Sequence, residues 1–220
     1  VGSEMCIRDS NEFKDNSGSR TQMALGSFFG RINYNFKERY LFEANLRYDG
    51  SSRFVRKNRW SAFPSFSAAW RITEEPFMAA ARKTLSEFKI RASYGTLGNQ
   101  NINSYYPASQ LLTISSISAA NKIYPIVAQN SLANEDITWE TTSTIDVGVD
   151  LSMLRNRLSV TADWYYKKTR DMLLQVPIAP IMGLSDPYDN IGDMHTKGWE
   201  ITLGWRDHVG DFSYGLSFNL

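Results

Sequence analysis

The sequence predicts an all-β chain, an antiparallel up-and-down transmembrane β-barrel segment of about eight strands. Three observations predict it. Apolar and polar residues alternate over unusually long runs, the connections are alternately short and long, and charge is confined to one parity of each run.

The first strand is expected at 21–36 and the second at 40–49, where "YLFEANLRYD" alternates almost without error. Others follow at 60–72, 87–97, 138–152, 157–170, 194–206 and 211–220. Strands of soluble sandwiches usually run about 5–6 residues, whereas tilted membrane strands need about 9–11. Pro64 lies inside the third run and removes a ladder donor, so a bulge, or full pairing only after it, is expected there.

The connections at 37–39, 153–156 and 207–210 are short; those at 50–59, 98–137 and 171–193 are long. An antiparallel meander places the two classes at opposite ends, the pattern of an outer-membrane barrel. The remaining connection carries "TEEPFMAAARKTLSEF". It reads as a short helix capped by Thr73, with Glu74 and Glu75 in its first turn and Arg82 and Lys83 at its end.

The apolar parity includes Phe28, Ile32, Phe42, Leu46, Phe66, Ile90, Val147, Val149, Val160, Ile201, Leu203 and Leu216. The opposite parity holds Arg31, Glu43, Arg47, Arg71, Lys89, Arg91, Asp146, Asp150, Asp163, Glu200 and Arg206. Lys or Arg at a bilayer midplane costs about 2–4 kcal/mol, so a charge-free face suits lipid and the charged face an aqueous lumen. A sandwich core would also exclude charge. Strand length, loop asymmetry and two aromatic belts favour the barrel. One belt, near the short turns, is Tyr34, Phe36, Tyr40, Trp70, Phe88, Trp205 and Phe212; the other is Tyr48, Tyr94, Trp164, Tyr166 and Trp199.

Composition excludes several classes. The formal net charge of +1 is unlike that of a nucleic-acid binder. Mean hydropathy is -0.37 and no apolar run reaches the ~18 residues of a transmembrane helix. The single cysteine, Cys6, forms no internal disulfide. It sits in "VGSEMCIRDS", residues 1–10, a non-native leader that looks like translated adapter read-through; 11–20 is expected to be loop and 21–220 barrel.

Blocks in order along the chain resemble SusC/RagA-type TonB-linked outer-membrane receptors. They are "GRINYNFKERYLFEANLRYDGSSRF", "NRWSAFPSFSAAWRITEEPFM", "FKIRASYGTLGNQNI", "ANEDITWETTSTIDVGVDL" and "NRLSVTADWYYKKTRDMLL", within residues 20–220. The resemblance implies a barrel usually of about 22 strands around a plug domain. It implies import of glycans or peptides across the outer membrane of a Gram-negative bacterium, energised by the TonB complex, with a SusD-like lipoprotein as lid. No signal peptide, TonB box or plug is visible, so an internal fragment is expected, either closed or an open curled sheet. The rival reading is a self-contained small barrel or sandwich acting as an adhesin or glycan-binding module.

The chemistry-bearing residues point to lining and binding rather than to an enzyme. The lumen-facing set is Glu43, Arg47, Lys89, Arg91, Asp146, Asp150 and Asp163. Its carboxylates suggest paired acid catalysis only until Arg47 and Arg91 are counted as neutralising partners. Tyr105, Tyr106, Tyr124 and Trp139 are the candidate substrate-binding aromatics, against simple loop packing. Arg53, Arg56, Lys57 and Arg59 suit lipopolysaccharide phosphates or a solvated loop equally. Asp186, Asp189, Asn190 and Asp193 make an oxygen-rich loop, but Pro187 and Gly192 and the non-EF-hand spacing favour a turn over calcium. "ANEDITWE" reads as a loop anchor. His195 and His208 lie ~40 Å apart along one strand, too far to share a site. No cofactor, metal or nucleic acid is expected; membrane lipid is.

Overall fold

The computed structural model describes residues 18, 20–119 and 122–220. The 1–10 leader and most of the expected 11–20 loop lie outside the described residues. Among the described residues twelve strands form, eight of them in one antiparallel sheet. The sheet strands are β1 Leu25–Phe36, β2 Tyr40–Ser51, β3 Trp60–Arg71, β4 Leu85–Asn99, β7 Glu140–Met153, β8 Leu158–Arg170, β11 Met194–Val209 and β12 Phe212–Asn219, side by side in chain order. Each matches a strand expected from alternation to within a few residues. Two further pairs stand apart: β5 Leu112–Ala119 with β6 Lys122–Gln129, and β9 Leu173–Gln175 with β10 Tyr188–Asn190.

The sheet does not close: β1 and β12 have a strand partner on one side only, and no second large sheet exists among the described residues. A self-contained barrel or sandwich is therefore not what the described chain forms. Apart from one shift between Leu85 and Glu87 at the start of β4, register is unbroken across neighbours, so each row of side chains keeps to one face: Phe28 pairs with Tyr48, Ala44 with Phe66, Ala92 with Val147, and Ala162 with Ile201. A strand of 12 residues is about 40 Å long at ~3.3 Å per residue, or roughly 30 Å in height when tilted as barrel strands are.

Three of the four connections at one end are tight. Lys37 and Glu38 take positive φ of 53° and 55°, and the Arg39 amide donates to the Phe36 carbonyl (3.0 Å). Positive φ at both central positions is the turn hand that follows strand twist. Leu154 to Asn156 and Gly210 also have positive φ. Pro64 behaves as one of its two expected forms. It pairs with Leu46 on β2, while β3 joins β4 only from Ser65 onward, opposite Gly95.

The expected helix after β3 is corrected. Residues 72–84 instead hold three separate 3-10 turns, Ile72–Glu74, Pro76–Met78 and Ala81–Lys83. The cause is Pro76, whose ring excludes helical conformation from the residue before it. Glu75 is extended (φ -76°, ψ 145°) and the helix is broken there. Thr73 makes no cap and is buried; Arg82 holds the turn by donating to its carbonyl (2.6 Å).

The extended Glu75 has a consequence for the neighbouring belt. Its carboxylate accepts from the Tyr40 hydroxyl (2.8 Å) and the Trp70 indole (3.1 Å), and Arg39 lies 3.5 Å away. Tyr40 and Trp70 stack at 6.3 Å. The hydrogen bonds from Tyr40 and then Trp70 hold the Glu75 carboxyl below its ordinary range, with Arg39 adding to the effect and burial opposing it. This stabilisation is present above the ordinary carboxyl value of 4.5 and is lost as pH falls through the lowered folded value. Trp70 fluorescence is therefore expected to change on the acid side of 4.5, and Glu75→Gln to abolish that transition.

Candidate functional site

The two faces of the sheet differ in chemistry. One face is apolar along each strand and open, with Phe28 68%, Ile32 69% and Trp199 73% exposed. Charged residues of that parity occur only at strand ends: Lys168, Arg170 and Lys197 at the long-loop end, and Asp207 at the short-turn end, where Arg157 neutralises it at 3.1 Å. Aromatics rim the same face. Trp60 stacks on Tyr48 (5.1 Å) and Phe28 (5.9 Å) at one end and so joins that expected belt; Trp164 meets Trp199 at 6.4 Å.

The other face carries the seven sequence-predicted charged residues, and most are tied together. Arg91 on β4 is the hub. Its guanidinium reaches Asp146 (3.4 Å) and Asp150 (3.3 Å) on β7, then crosses β7 to Asp163 on β8. Lys89 adds a 2.9 Å contact to Asp150, whose second oxygen accepts from the Thr161 hydroxyl (3.3 Å). The crossing depends on Gly148, which pairs with both Arg91 and Asp163. A β-carbon there would collide with the Asp163 carboxylate and the guanidinium. Glu43 and Arg47 lie in two further, separate groups of contacts. Arg31 donates to Asn45 (2.7 Å), Asn45 donates to Glu43 (2.8 Å), and Arg47 meets Asp49 at 2.8 Å.

Two adjoining hollows, of about 480 and 1130 Å3, open on this face. They share Glu43, Ser67 and Ser93; Lys89, Arg91 and Asp146 line the smaller. The carboxylates weighed for acid catalysis, Asp146, Asp150 and Asp163, each face the Arg91 guanidinium, so the charges around this hub are paired rather than free. No group of three His, Cys, Asp or Glu is arranged to hold a metal among the described residues.

The long-loop end holds the main core. Phe54, Phe63, Ile102, Ile137, Trp139 and Leu173 pack together there, with Ile137 at 0% exposed. This cluster, drawn largely from loops, was not evident in the sequence. The 98–137 connection, read as loop, also contains the β5–β6 hairpin.

The four candidate aromatics do not converge. Trp139 is inside the core against Phe54 (5.2 Å) and Phe63 (5.6 Å), its indole donating to the Arg59 carbonyl (3.1 Å). Its faces are taken, which is the loop-packing alternative. Tyr106 accepts from the Gln22 amide (3.0 Å), Tyr105 lies under the Arg53 guanidinium (5.5 Å), and Tyr124 stands on the hairpin opposite Ile117.

The basic loop is partly committed inward. Arg53 donates to the Gln100 carbonyl (2.6 Å) and Lys57 pairs with Asp136 (2.6 Å), which holds the Asp136 carboxyl below its ordinary range; Arg56 is exposed. His195 shares a hydrogen bond with Tyr166, and His208 stands far along the same strand opposite Ser213.

Removing the hub cation leaves Asp146 and Asp163 without their counter-charge and only Lys89 beside Asp150. Arg91→Leu is expected to cost roughly 1–3 kcal/mol, below the value for a fully buried pair because these side chains are partly exposed. Gly148→Val is expected to cost a similar amount while keeping every charge. Denaturant unfolding in lipid vesicles checks both.

Comparisons with known proteins agree with this geometry. A family model described as TonB dependent receptor-like, beta-barrel matches residues 7–220. TonB-dependent receptor P26 of Formosa agariphila is 40% identical over 184 residues, covering 81% of this chain and 18% of its own length. TonB-dependent receptor SusC of Bacteroides thetaiotaomicron is 33% identical over 215 residues, covering 95% of this chain and 21% of its own. The solved RagAB peptide transporter superposes with a TM-score of 0.80 at 28% identity, over 96% of this chain and 24% of that one. The chain thus spans about a fifth of the length of these curated relatives. A match through nearly the whole chain, on a sheet of long strands sorted by charge, shows that the chain belongs to the TonB-dependent receptor β-barrel family.

Proposed function

We propose that the chain is a sector of the wall of an outer-membrane receptor that imports a nutrient with energy from the TonB complex. The observation that carries this reading is the separation of charge across eight long strands. The apolar face meets membrane lipid, and the hollowed face with Glu43, Arg47, Lys89, Arg91, Asp146, Asp150 and Asp163 lines the transport path. Arg56 and Lys57 are both exposed on the basic loop, and Arg56, which is not paired with Asp136 as Lys57 is, would be the one to meet lipopolysaccharide phosphate. A SusD-like lipoprotein lid would sit over the long-loop end, near Tyr105, Tyr106 and Tyr124.

The substrate class is a glycan or a peptide. SusC and the RagAB peptide transporter are both among the similar proteins, so resemblance supports each. Because the charges around Arg91 are paired with one another, that stretch of the path would select weakly by net charge. Discrimination then falls to shape and to polar contacts such as Ser67 and Ser93 in the hollows.

The receptor is expected in the outer-membrane fraction with heat-modifiable gel migration; recovery in solution without detergent would sink the reading. Deleting its gene is expected to abolish growth on either glycans or peptides as sole carbon source, and the lost class identifies the substrate. The orientation of the wall is tested by a pair of variants. Val147→Arg, on the apolar face, is expected to cost about 2–4 kcal/mol of folding free energy in vesicles. Ser67→Arg, on the charged face, is expected to cost far less.

A further inference from the structure

The segment 134–139 between the β5–β6 hairpin and β7 has almost no regular structure, yet Ile137 and Trp139 on it are buried. Buried backbone polar groups need partners. Here other loops supply them. From the 52–59 connection, the Asn58 side-chain amide donates to the carbonyls of Asp136 (3.0 Å) and Ile137 (3.2 Å). From the 171–193 connection, Asn190 does more. Its side-chain oxygen accepts from the Thr138 amide (2.7 Å), and its nitrogen donates to the Thr138 carbonyl (3.0 Å). One side chain thus pairs with Thr138 as a β-strand residue would, and it also donates to the Asp171 carbonyl (2.8 Å).

Neighbouring contacts repeat the same linkage. Asn134 donates to the Tyr188 carbonyl (3.0 Å) and to Asp189 (2.9 Å), and the Leu173 amide donates to Glu140 (3.1 Å). The apolar cluster draws Phe54, Ile102, Ile137 and Leu173 from all three connections. Segment 134–139 is therefore the shared middle of a three-layer clasp.

We propose that the three long connections form one cooperative unit, closed by Asn58 and Asn190 on segment 134–139, so that this rim opens and closes as a single body. This goes beyond the transport reading and does not depend on it. The two acidic blocks, "ANEDITWE" and "SDPYDNIGD", supply two of the three layers of the clasp. The β5–β6 hairpin hangs outside it, with Ile114 78% and Ile123 75% exposed.

The test is amide hydrogen exchange on the membrane-embedded protein. Asn190 makes no hydrogen bond to residues 52–59, whose Asn58 amide is bonded to the Val55 carbonyl (3.0 Å). Cooperative opening predicts that Asn190→Ala speeds exchange about tenfold or more both at 187–191 and at 52–59. Acceleration confined to 134–140 and 171–191, with 52–59 unchanged, would overturn the proposal. Should Asn190→Ala fail to reach the membrane, Asn58→Ala gives the reciprocal measurement, with 187–191 as the distant reporter and the same two outcomes. Thr113→Ala, at the base of the hairpin, is expected to leave both segments unchanged.

Discussion

The constraint on which the structure depends is that one parity of each long strand must stay free of charge between its ends. In a hydrocarbon environment a misplaced charge is costly, and so is an unpaired backbone amide. The chain meets both demands with one device, a continuous antiparallel ladder. Because side chains alternate strictly, a slip of one residue would carry Arg91 or Asp150 onto the apolar face. Charge segregation and register therefore enforce each other. Even Pro64 fits this logic. Its missing donor faces β4 just where that pairing stops, while the β2 side runs on without interruption.

Gathering charge on one face creates a second problem, since three aspartates stand on adjacent strands. The solution is steric as well as electrostatic. Arg91 reaches Asp163 because the residue between them has no side chain. Gly148 is thus part of an ion network without carrying a polar atom beyond its backbone. A Lys at 91 would supply the charge but not the fork of donors that meets carboxylates on two strands. Around Arg91 the wall has few free charges, which on the proposed reading suits passage of a solute better than its retention.

The legibility of the chain follows the range of its interactions. Strands, short turns and the charged wall are set by period-two alternation, and each could be read within a dozen residues. The helix expected after β3 failed on a local rule outweighed by another: good capping and charge placement around Thr73 and Arg82 were overridden by Pro76. The clasp was illegible for a different reason. Asn190 meets Thr138 from 52 positions away, and Trp139 meets Arg59 from 80. Nothing adjacent to Asn190 distinguishes it from the turn residues around it. A tryptophan at the end of a long connection was the available hint, yet the same residue type also suits a ligand platform, and sequence alone offered no way to choose.

Sheet and clasp are stabilised by different solvents. The sheet has almost no interior of its own; its apolar residues are exposed, and on the proposed reading lipid covers them. The clasp carries a small protein core, closed by side-chain amides standing in for backbone partners. Hydrophobic burial among the described residues is therefore concentrated at the long-loop end, which on the proposed reading stands clear of the lipid. Loops there need not rely on the membrane to stay ordered. They also need not follow every fluctuation of the strands beneath them. A rim with its own core can keep a defined shape while the wall below adjusts, which is the property an opening must have if its shape is to select what passes.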